Sequence, residues 1–204
     1  MRPLLRLPLL AALAALAACG RAPAPIVPAA EDARRAAPAP DFSVYDLETP
    51  WVDQDGRERT LGSLRGRTQV VAMVYTHCTH TCPAIVAELK RLEAALPVEE
   101  RGRVGFALVS LDPERDDAAQ LASFAASLRL DPARWTLLTG DADGVRELAA
   151  VLGIRYRAEA DAQISHSNTY LVLDAEGRIA HRQEGVGRGT EAPLARIRAA
   201  AAAR

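Results

Sequence analysis

The sequence is poor in cysteine and in aromatic residues, and it carries almost no net charge. Its 204 residues include three Cys, three Phe, four Tyr and two Trp, and the formal net charge is −1. Charges of both signs are interspersed, so there is no electrostatic reason to expect binding to nucleic acid. No aromatic ladder is available on which bases could stack. The sequence also lacks an internal repeat, a nucleotide-binding glycine fingerprint and a phosphate loop.

The apolar run near the N-terminus, Leu9 to Ala18, is too short to cross a bilayer as a helix, and it follows Arg2 and Arg6. Residues 16–20 read Leu-Ala-Ala-Cys-Gly, which resembles a bacterial lipobox. We therefore expect residues 1–18 to be a lipoprotein signal peptide and Cys19 to become the lipidated N-terminus. Ordinary signal-peptide cleavage with an incidental Cys19 is the alternative. In both cases the chain is exported, and a lipid anchor would hold it on a membrane facing the periplasm or another extracytoplasmic space.

The assignment of Cys19 to a lipid leaves two cysteines, Cys78 and Cys82, in a compartment that permits disulfides. Residues 21–40 contain five prolines among many alanines, and such a stretch cannot bury a core. We expect residues 19–40 to be the lipidated cysteine and an extended tether. Residues 41–204 are expected to form the folded domain.

The folded part alternates between strand and helix patterns. An Asp-Gly turn in the segment 51–61 predicts a β-hairpin, and the continuous apolar run 70–75 predicts a strand covered on both faces. The helical pattern that follows places Glu88 on the outward side. Further strands are expected at 104–111, 135–139, 170–174 and 177–181, and helices at 83–96, 114–130, 141–152 and 191–204. This order predicts an α/β, thioredoxin-like fold with a central mixed sheet flanked by helices and an N-terminal β-hairpin extension.

Both remaining cysteines lie in residues 75–83, which read Tyr-Thr-His-Cys-Thr-His-Thr-Cys-Pro. Pro83 suits the first position of a helix and biases the residue before it away from helical geometry, which places Cys82 at the helix cap. The positive end of the helix dipole lowers the pKa of a thiol there. Cys78 and Cys82 can then form a structural disulfide, exchange electrons as a dithiol, or bind a soft metal as thiolates.

A histidine helps to separate these outcomes. Thiol-disulfide oxidoreductases of the thioredoxin type place a cis-proline just before the strand that faces the cysteines. This chain has no proline between Pro132 and Pro193, and His166 stands in that place instead. An imidazole that faces two thiolates completes a set of two sulfurs and one nitrogen, which suits copper by ligand softness. A solvated loop histidine is the alternative.

Three motifs occur in order along the chain. They are Tyr-Thr-His-Cys-x3-Cys-Pro at 75–83, Val-Ser-Leu-Asp-Pro-Glu-Arg-Asp at 109–116, and His-Ser-x2-Tyr-Leu-Val-Leu-Asp-x2-Gly at 166–177. Together they resemble the Sco/SenC/PrrC family of membrane-tethered, thioredoxin-like copper proteins for cytochrome c oxidase assembly. The resemblance implies that Cys78, Cys82 and His166 bind Cu(I) or Cu(II). The partner it implies is a copper-accepting oxidase subunit or another periplasmic copper chaperone.

An enzymatic function is the competing hypothesis. A thiol-disulfide oxidoreductase that keeps the cysteines of a partner reduced needs Cys78 and Cys82 but not His166. Peroxiredoxin chemistry is less favoured, because the upstream proline and the later arginine of the peroxiredoxin pattern are not evident in this sequence. A protein that served only as an interaction module on a lipid anchor would have no function for either thiol.

Three further residues are candidates for supporting roles. The family commonly has Pro-Asp-Val between its cysteines, whereas this chain has Thr-His-Thr. His80 is therefore either an extra or competing ligand or a side chain that faces solvent. His77 is expected to point into the fold or to support the ligands, because alternation along an extended chain argues against joint ligation with Cys78. Asp112, at the end of its strand, is expected either to orient His166 or to cap the following helix.

Overall fold

The structure is a computed structural model that describes residues 42–79, 81–159 and 163–202. The predicted signal peptide, Cys19 and the tether lie outside the described residues, and so does His80. The expectations for these parts of the chain stay predictions.

Nine strands and four α-helices follow one another in the described part of the chain. The strands are β1 (Trp51–Asp53), β2 (Glu58–Arg59), β3 (Thr68–Val74), β4 (Val104–Ser110), β5 (Trp135–Thr139), β6 (Tyr156–Ala158), β7 (Ile164–His166), β8 (Thr169–Leu173) and β9 (Ile179–Glu184). The helices are α1 (Cys82–Ala95), α2 (Ala118–Ser127), α3 (Ala142–Val151) and α4 (Glu191–Ala202). Among the described helices, none is long and apolar enough to cross a membrane.

Seven of the strands form one mixed sheet in the order β2-β1-β5-β4-β3-β8-β9. The central strands β3, β4 and β5 are parallel, whereas β1, β8 and β9 lie antiparallel to their neighbours. β1 and β2 pair around the Asp-Gly turn, with Trp51 opposite Arg59, as the sequence predicts. The mixed α/β architecture and the N-terminal hairpin at its edge are therefore confirmed.

The strand β3 has a hydrophobic core on each of its faces, and all seven of its residues are buried. Val70, Ala72 and Val74 pack in one core with residues of α1, α2 and α4. Val71 and Met73 pack in a second core with residues of α3. Successive side chains of a strand point to opposite faces, so a continuous apolar run is what a strand between two helical layers requires. The prediction for this run is confirmed.

The helix α1 begins one residue earlier than the sequence predicts. Cys82 is its first residue and Thr81 its N-cap, so Pro83 occupies the second helical position. The first helical N–H groups have no partner within the helix, and proline therefore removes no intrahelical hydrogen bond there. Cys82 lies at the start of the helix and not at its cap.

The prediction that Glu88 faces solvent is wrong, since its side chain is only 1% exposed. Its carboxylate accepts a hydrogen bond from the hydroxyl of Tyr170 at 2.9 Å and another from the backbone N–H of Gly187 at 2.5 Å. These donors replace the water that a carboxylate loses on burial. The hydrophobic pattern of α1 does not contain this information, because both donors come from distant segments.

The helix predicted from residue 114 begins only at Ala118. Residues 113–115 form a turn, and the side chain of Asp117 caps α2 by accepting the N–H of Gln120 at 2.8 Å. The expectation that Asp112 caps this helix is therefore wrong.

The strands β6 and β7 form a separate two-stranded antiparallel sheet that the sequence pattern does not predict. Each strand has three residues, and their side chains are exposed or half-buried. Short strands with little burial have no hydrophobic alternation by which they could be recognised. His166 is the last residue of β7 and not a loop residue, and it lies opposite Tyr156.

Candidate metal centre

The first thiol, Cys78, lies in the loop between the end of β3 and the start of α1. Its backbone N–H donates to the carbonyl of Tyr75 at 3.3 Å, which turns the chain directly after the strand. The N–H of Cys82 points back at Sγ of Cys78 at 3.4 Å. Because this N–H is the first of the helix, the positive end of α1 faces the sulfur of Cys78.

The second thiol, Cys82, contacts the histidine that the sequence singles out. Its Sγ lies 3.3 Å from Nε2 of His166, and Cys82 is only 1% exposed. On the other side of the ring, Nδ1 of His166 lies 3.2 Å from the carbonyl oxygen of Ser167. A carbonyl oxygen can only accept a hydrogen bond, so Nδ1 carries the proton and donates the hydrogen bond to Ser167. The lone pair of Nε2 then faces the sulfur.

The structure thus brings together the three residues that the sequence identifies as candidate ligands. One ligand atom each from Cys78, Cys82 and His166 lies within 4.8 Å of the other two. Neither cysteine forms a disulfide, both are buried, and His166 is half-buried. This group is the one cluster of three or more such side chains found among the described residues that could hold a metal ion.

Burial opposes charge on the groups of this site. It raises the pKa of the Cys82 thiol well above its usual value, and the hydrogen bond with Cys78 acts in the same direction. Burial also lowers the pKa of His166, against a smaller opposite effect of the Ser167 carbonyl. The expectation of a lowered pKa for Cys82 is therefore wrong, because desolvation is the largest effect on this thiol and raises its pKa.

The carboxylate of Asp116 is buried beneath the thiol loop, and the sequence alone does not identify this residue as functional. It is 0% exposed, and it accepts hydrogen bonds from the N–H of Thr76 at 3.0 Å and from the Thr76 hydroxyl at 2.6 Å. A third hydrogen bond comes from the hydroxyl of Ser110, at the end of β4, at 2.6 Å. Asp116 therefore ties the residue two positions before Cys78 to the neighbouring strand. The second sequence motif contains this residue, but nothing in the motif alone shows that it is buried.

The proposed supporting residues His77 and Asp112 contact each other and not the histidine of the site. Nε2 of His77 lies 3.1 Å from Oδ2 of Asp112, and Nδ1 of His77 lies 3.8 Å from Oδ1 of Asp116. Asp112 also accepts a hydrogen bond from Nε of Arg115 at 2.6 Å. The expectation that Asp112 orients His166 is wrong, because the ring of His166 is held by the carbonyl of the next residue.

The family model described as SCO1/SenC matches residues 44–201. The chain belongs to the SCO1/SenC family. A candidate copper-binding protein of Stutzerimonas stutzeri is 29% identical over 132 residues, which cover 63% of this chain and 63% of the relative. The match therefore spans less than two thirds of that relative. The SCO1 protein homolog of Bacillus subtilis is 29% identical over 146 residues, which cover 70% of this chain and 75% of the relative.

Solved structures share the fold of this SCO1/SenC protein. ScoI of Bradyrhizobium japonicum, solved with copper bound, has a TM-score of 0.60 at 23% identity, with 74% of this chain and 96% of that chain covered. BsSco is described with a disulfide switch and as a member of the Sco family of cytochrome c oxidase assembly proteins. Its structure has a TM-score of 0.69 at 23% identity, with 80% of this chain and 96% of that chain covered. This likeness confirms the predicted thioredoxin-like fold class.

Replacing Asp116 by alanine is expected to loosen the thiol loop, because the N–H and hydroxyl of Thr76 and the hydroxyl of Ser110 lose their buried acceptor. We expect the free energy of unfolding to fall by about 3 kcal/mol. We also expect a thiol reagent to modify the two cysteines of the reduced protein about tenfold faster, since local opening becomes easier. Chemical denaturation and the kinetics of thiol modification measure the two effects.

The matched control for this experiment is Asp117→Ala, which removes the cap of α2 next to it. Loss of that cap lowers the free energy of unfolding by about 1 kcal/mol, and it leaves the hydrogen bonds of Thr76 intact. Equal modification rates in the two variants would show that Asp116 does not hold the thiol loop.

Proposed function

We propose that this protein is a copper metallochaperone that binds its cargo through Cys78 Sγ, Cys82 Sγ and His166 Nε2. It delivers the copper to the binuclear copper centre of a cytochrome c oxidase. The observation that carries the proposal is the convergence of two thiols and one imidazole nitrogen within 4.8 Å of one another. Thiolate sulfurs favour Cu(I), and the imidazole nitrogen suits Cu(II) as well.

The choice of copper is supported by the comparisons with known proteins. The relative from Stutzerimonas stutzeri is named as a candidate copper-binding protein, and ScoI of the same fold is solved with copper bound. The choice of an oxidase as recipient is supported by the description of BsSco as one of a family of cytochrome c oxidase assembly proteins. The acceptor is then a copper-accepting oxidase subunit or another periplasmic copper chaperone.

The residues of the chain have separate tasks in this transfer. Cys78 and Cys82 supply the sulfurs, from a place where burial excludes competing water. His166 supplies the third ligand and is the most exposed of the three. A cysteine of the recipient would therefore replace the imidazole first, and the two sulfurs would release the copper afterwards.

A second candidate function is thiol-disulfide exchange with the cysteines of a partner. It is favoured by the same two thiols, which form no disulfide and lie so close that the N–H of Cys82 contacts the sulfur of Cys78. The disulfide switch described for BsSco supports it. In this reaction the two thiols form a disulfide and pass two electrons and two protons to a partner disulfide, which becomes a dithiol.

We further propose that the protein works at a membrane surface. Residues 1–18 are removed as a lipoprotein signal peptide, Cys19 carries the lipid, and residues 19–40 hold the domain away from the bilayer. The lipobox-like sequence and the proline-rich tether support this location. The protein is then exported and faces the periplasm or an equivalent space, where its recipient also lies.

The copper-binding role predicts close to one copper per reduced protein. We expect His166→Ala to weaken the affinity for Cu(I) by about a hundredfold or more, because loss of a ligand costs at least as much as loss of a group that orients one. Competition with a chromophoric Cu(I) chelator measures the affinity. His181→Ala, on β9, is the control and should bind as tightly as the wild type. An unchanged affinity in the His166 variant would contradict the three-ligand site.

The oxidoreductase role predicts a different response to the same substitution. Reductase turnover with a disulfide-containing partner peptide should stay within about threefold of the wild type in His166→Ala, since thiol-disulfide exchange needs no imidazole ligand. It should be lost in Cys78→Ser. A reductase activity that falls together with copper affinity in His166→Ala would count against an independent enzymatic role.

The anchor predicts that Cys19→Ser moves the protein from the membrane fraction to the soluble fraction, because two or more acyl chains are what makes such binding stable. Fractionation of cells that express the full-length chain measures the change. Cys78→Ser is the matched control and should stay in the membrane fraction. A protein that is soluble with Cys19 intact would favour ordinary signal-peptide cleavage.

A further inference from the structure

Tyr75 connects the two parts of the candidate metal centre. Its backbone carbonyl accepts the N–H of Cys78 at 3.3 Å, and its side-chain hydroxyl accepts the N–H of Ile164 at 3.1 Å. Ile164 is the first residue of β7, and His166 is the last. One residue therefore holds both the thiol loop and the strand that bears the histidine.

This connection is one of the contacts that hold the small sheet of β6 and β7 to the rest of the fold. The small sheet is not hydrogen-bonded into the seven-stranded sheet. Within it, Ile164 packs against the two hydrophobic cores, but the side chain of Ser165 is exposed and that of His166 is half-buried. The hydroxyl of Tyr75 also donates to Oε1 of Gln163 at 3.0 Å, so one phenol holds two successive residues where β7 begins.

The aromatic ring of Tyr75 adds a contact with the histidine itself. The ring stands edge-on to the imidazole of His166, with a centroid distance of 6.1 Å and an interplanar angle of 75°. Tyr75 is 2% exposed, so water does not compete for its hydroxyl. The ring and the hydroxyl thus constrain β7 at two points, one at the imidazole and one two residues before it.

We propose that Tyr75 is a positioning residue for His166, and that its hydroxyl sets the place of the imidazole relative to the two thiols. This inference rests on the proposed copper function. A phenylalanine in its place would keep the ring but leave the N–H of Ile164 without its acceptor. Ile164 is half-buried, and an N–H that is shielded from water and has no partner is unfavourable, so β7 would move until that group reaches water or another acceptor. The imidazole would move with the strand.

The substitution that tests this role is Tyr75→Phe. We expect the affinity for Cu(I) to fall about tenfold, as is common when a group that orients a metal ligand is removed. Tyr156→Phe is the matched control, because it removes a hydroxyl from the residue opposite His166 without touching the hydrogen bond to Ile164. The control should bind as tightly as the wild type. An unchanged affinity in Tyr75→Phe would overturn the proposal.

A double-mutant cycle separates positioning from a general structural effect. If Tyr75 acts through His166, Tyr75→Phe has no further effect on copper affinity in a protein that already carries His166→Ala. If Tyr75→Phe weakens binding equally in both backgrounds, the residue acts through the fold as a whole or through the hydrogen bond of its side chain with Cys78, and the proposal is wrong.

The metal-free protein gives a readout that does not depend on copper. In Tyr75→Phe we expect the amide hydrogen of Ile164 to exchange about tenfold faster, and the imidazole resonances of His166 to shift. Unchanged exchange and unchanged resonances would overturn the positioning role even if wild-type protein binds copper. If the wild type binds no copper, the proposed function fails, and these two measurements still decide whether Tyr75 places His166.

Discussion

The approach of His166 Nε2 to Cys82 Sγ, at 3.3 Å, joins two groups that are 84 residues apart in the chain. It depends on the strand directions around β3. The thiol loop leaves the carboxyl end of β3, and β8 lies antiparallel to β3, so β8 begins at that same end. The small sheet that precedes β8 is thereby brought beside the thiols. β4 is parallel to β3 and ends there too, which places the buried Asp116 under the loop.

Burial sets the charge of the metal-free site. Desolvation raises the pKa of Cys82 and lowers the pKa of His166, so both groups are uncharged near neutral pH. Backbone hydrogen bonds to Cys82 lower its pKa, but their effect is smaller than that of desolvation. Two thiolates so close together would also repel one another in this environment. A cation bound at the proposed site would offset both penalties, so we expect the pair to become thiolates when the metal binds.

The sequence predicts the parts of this structure that follow from local patterns. The apolar run of β3, the Asp-Gly hairpin and the three candidate ligands are visible in it, since each depends on neighbouring residues or on a family motif. The buried states of Glu88 and Asp116 are not visible, because their hydrogen-bond donors come from distant segments. The raised pKa of Cys82 cannot be predicted from the sequence for the same reason. The start of the helix is a local feature, whereas the burial that raises this pKa depends on the whole fold.

The fold does not hold the three candidate ligands equally firmly. Both cysteines belong to the large core between the sheet and α1, and Asp116 ties the loop before them to β4. His166 is half-buried and ends a short strand of a separate sheet. Because local stability follows burial and hydrogen bonding, the sulfurs belong to a more stable part of the protein than the imidazole does. Under the proposed function, such a site would exchange its nitrogen ligand while the main sheet stays folded, which a protein that hands on its metal requires and a permanent metal site does not.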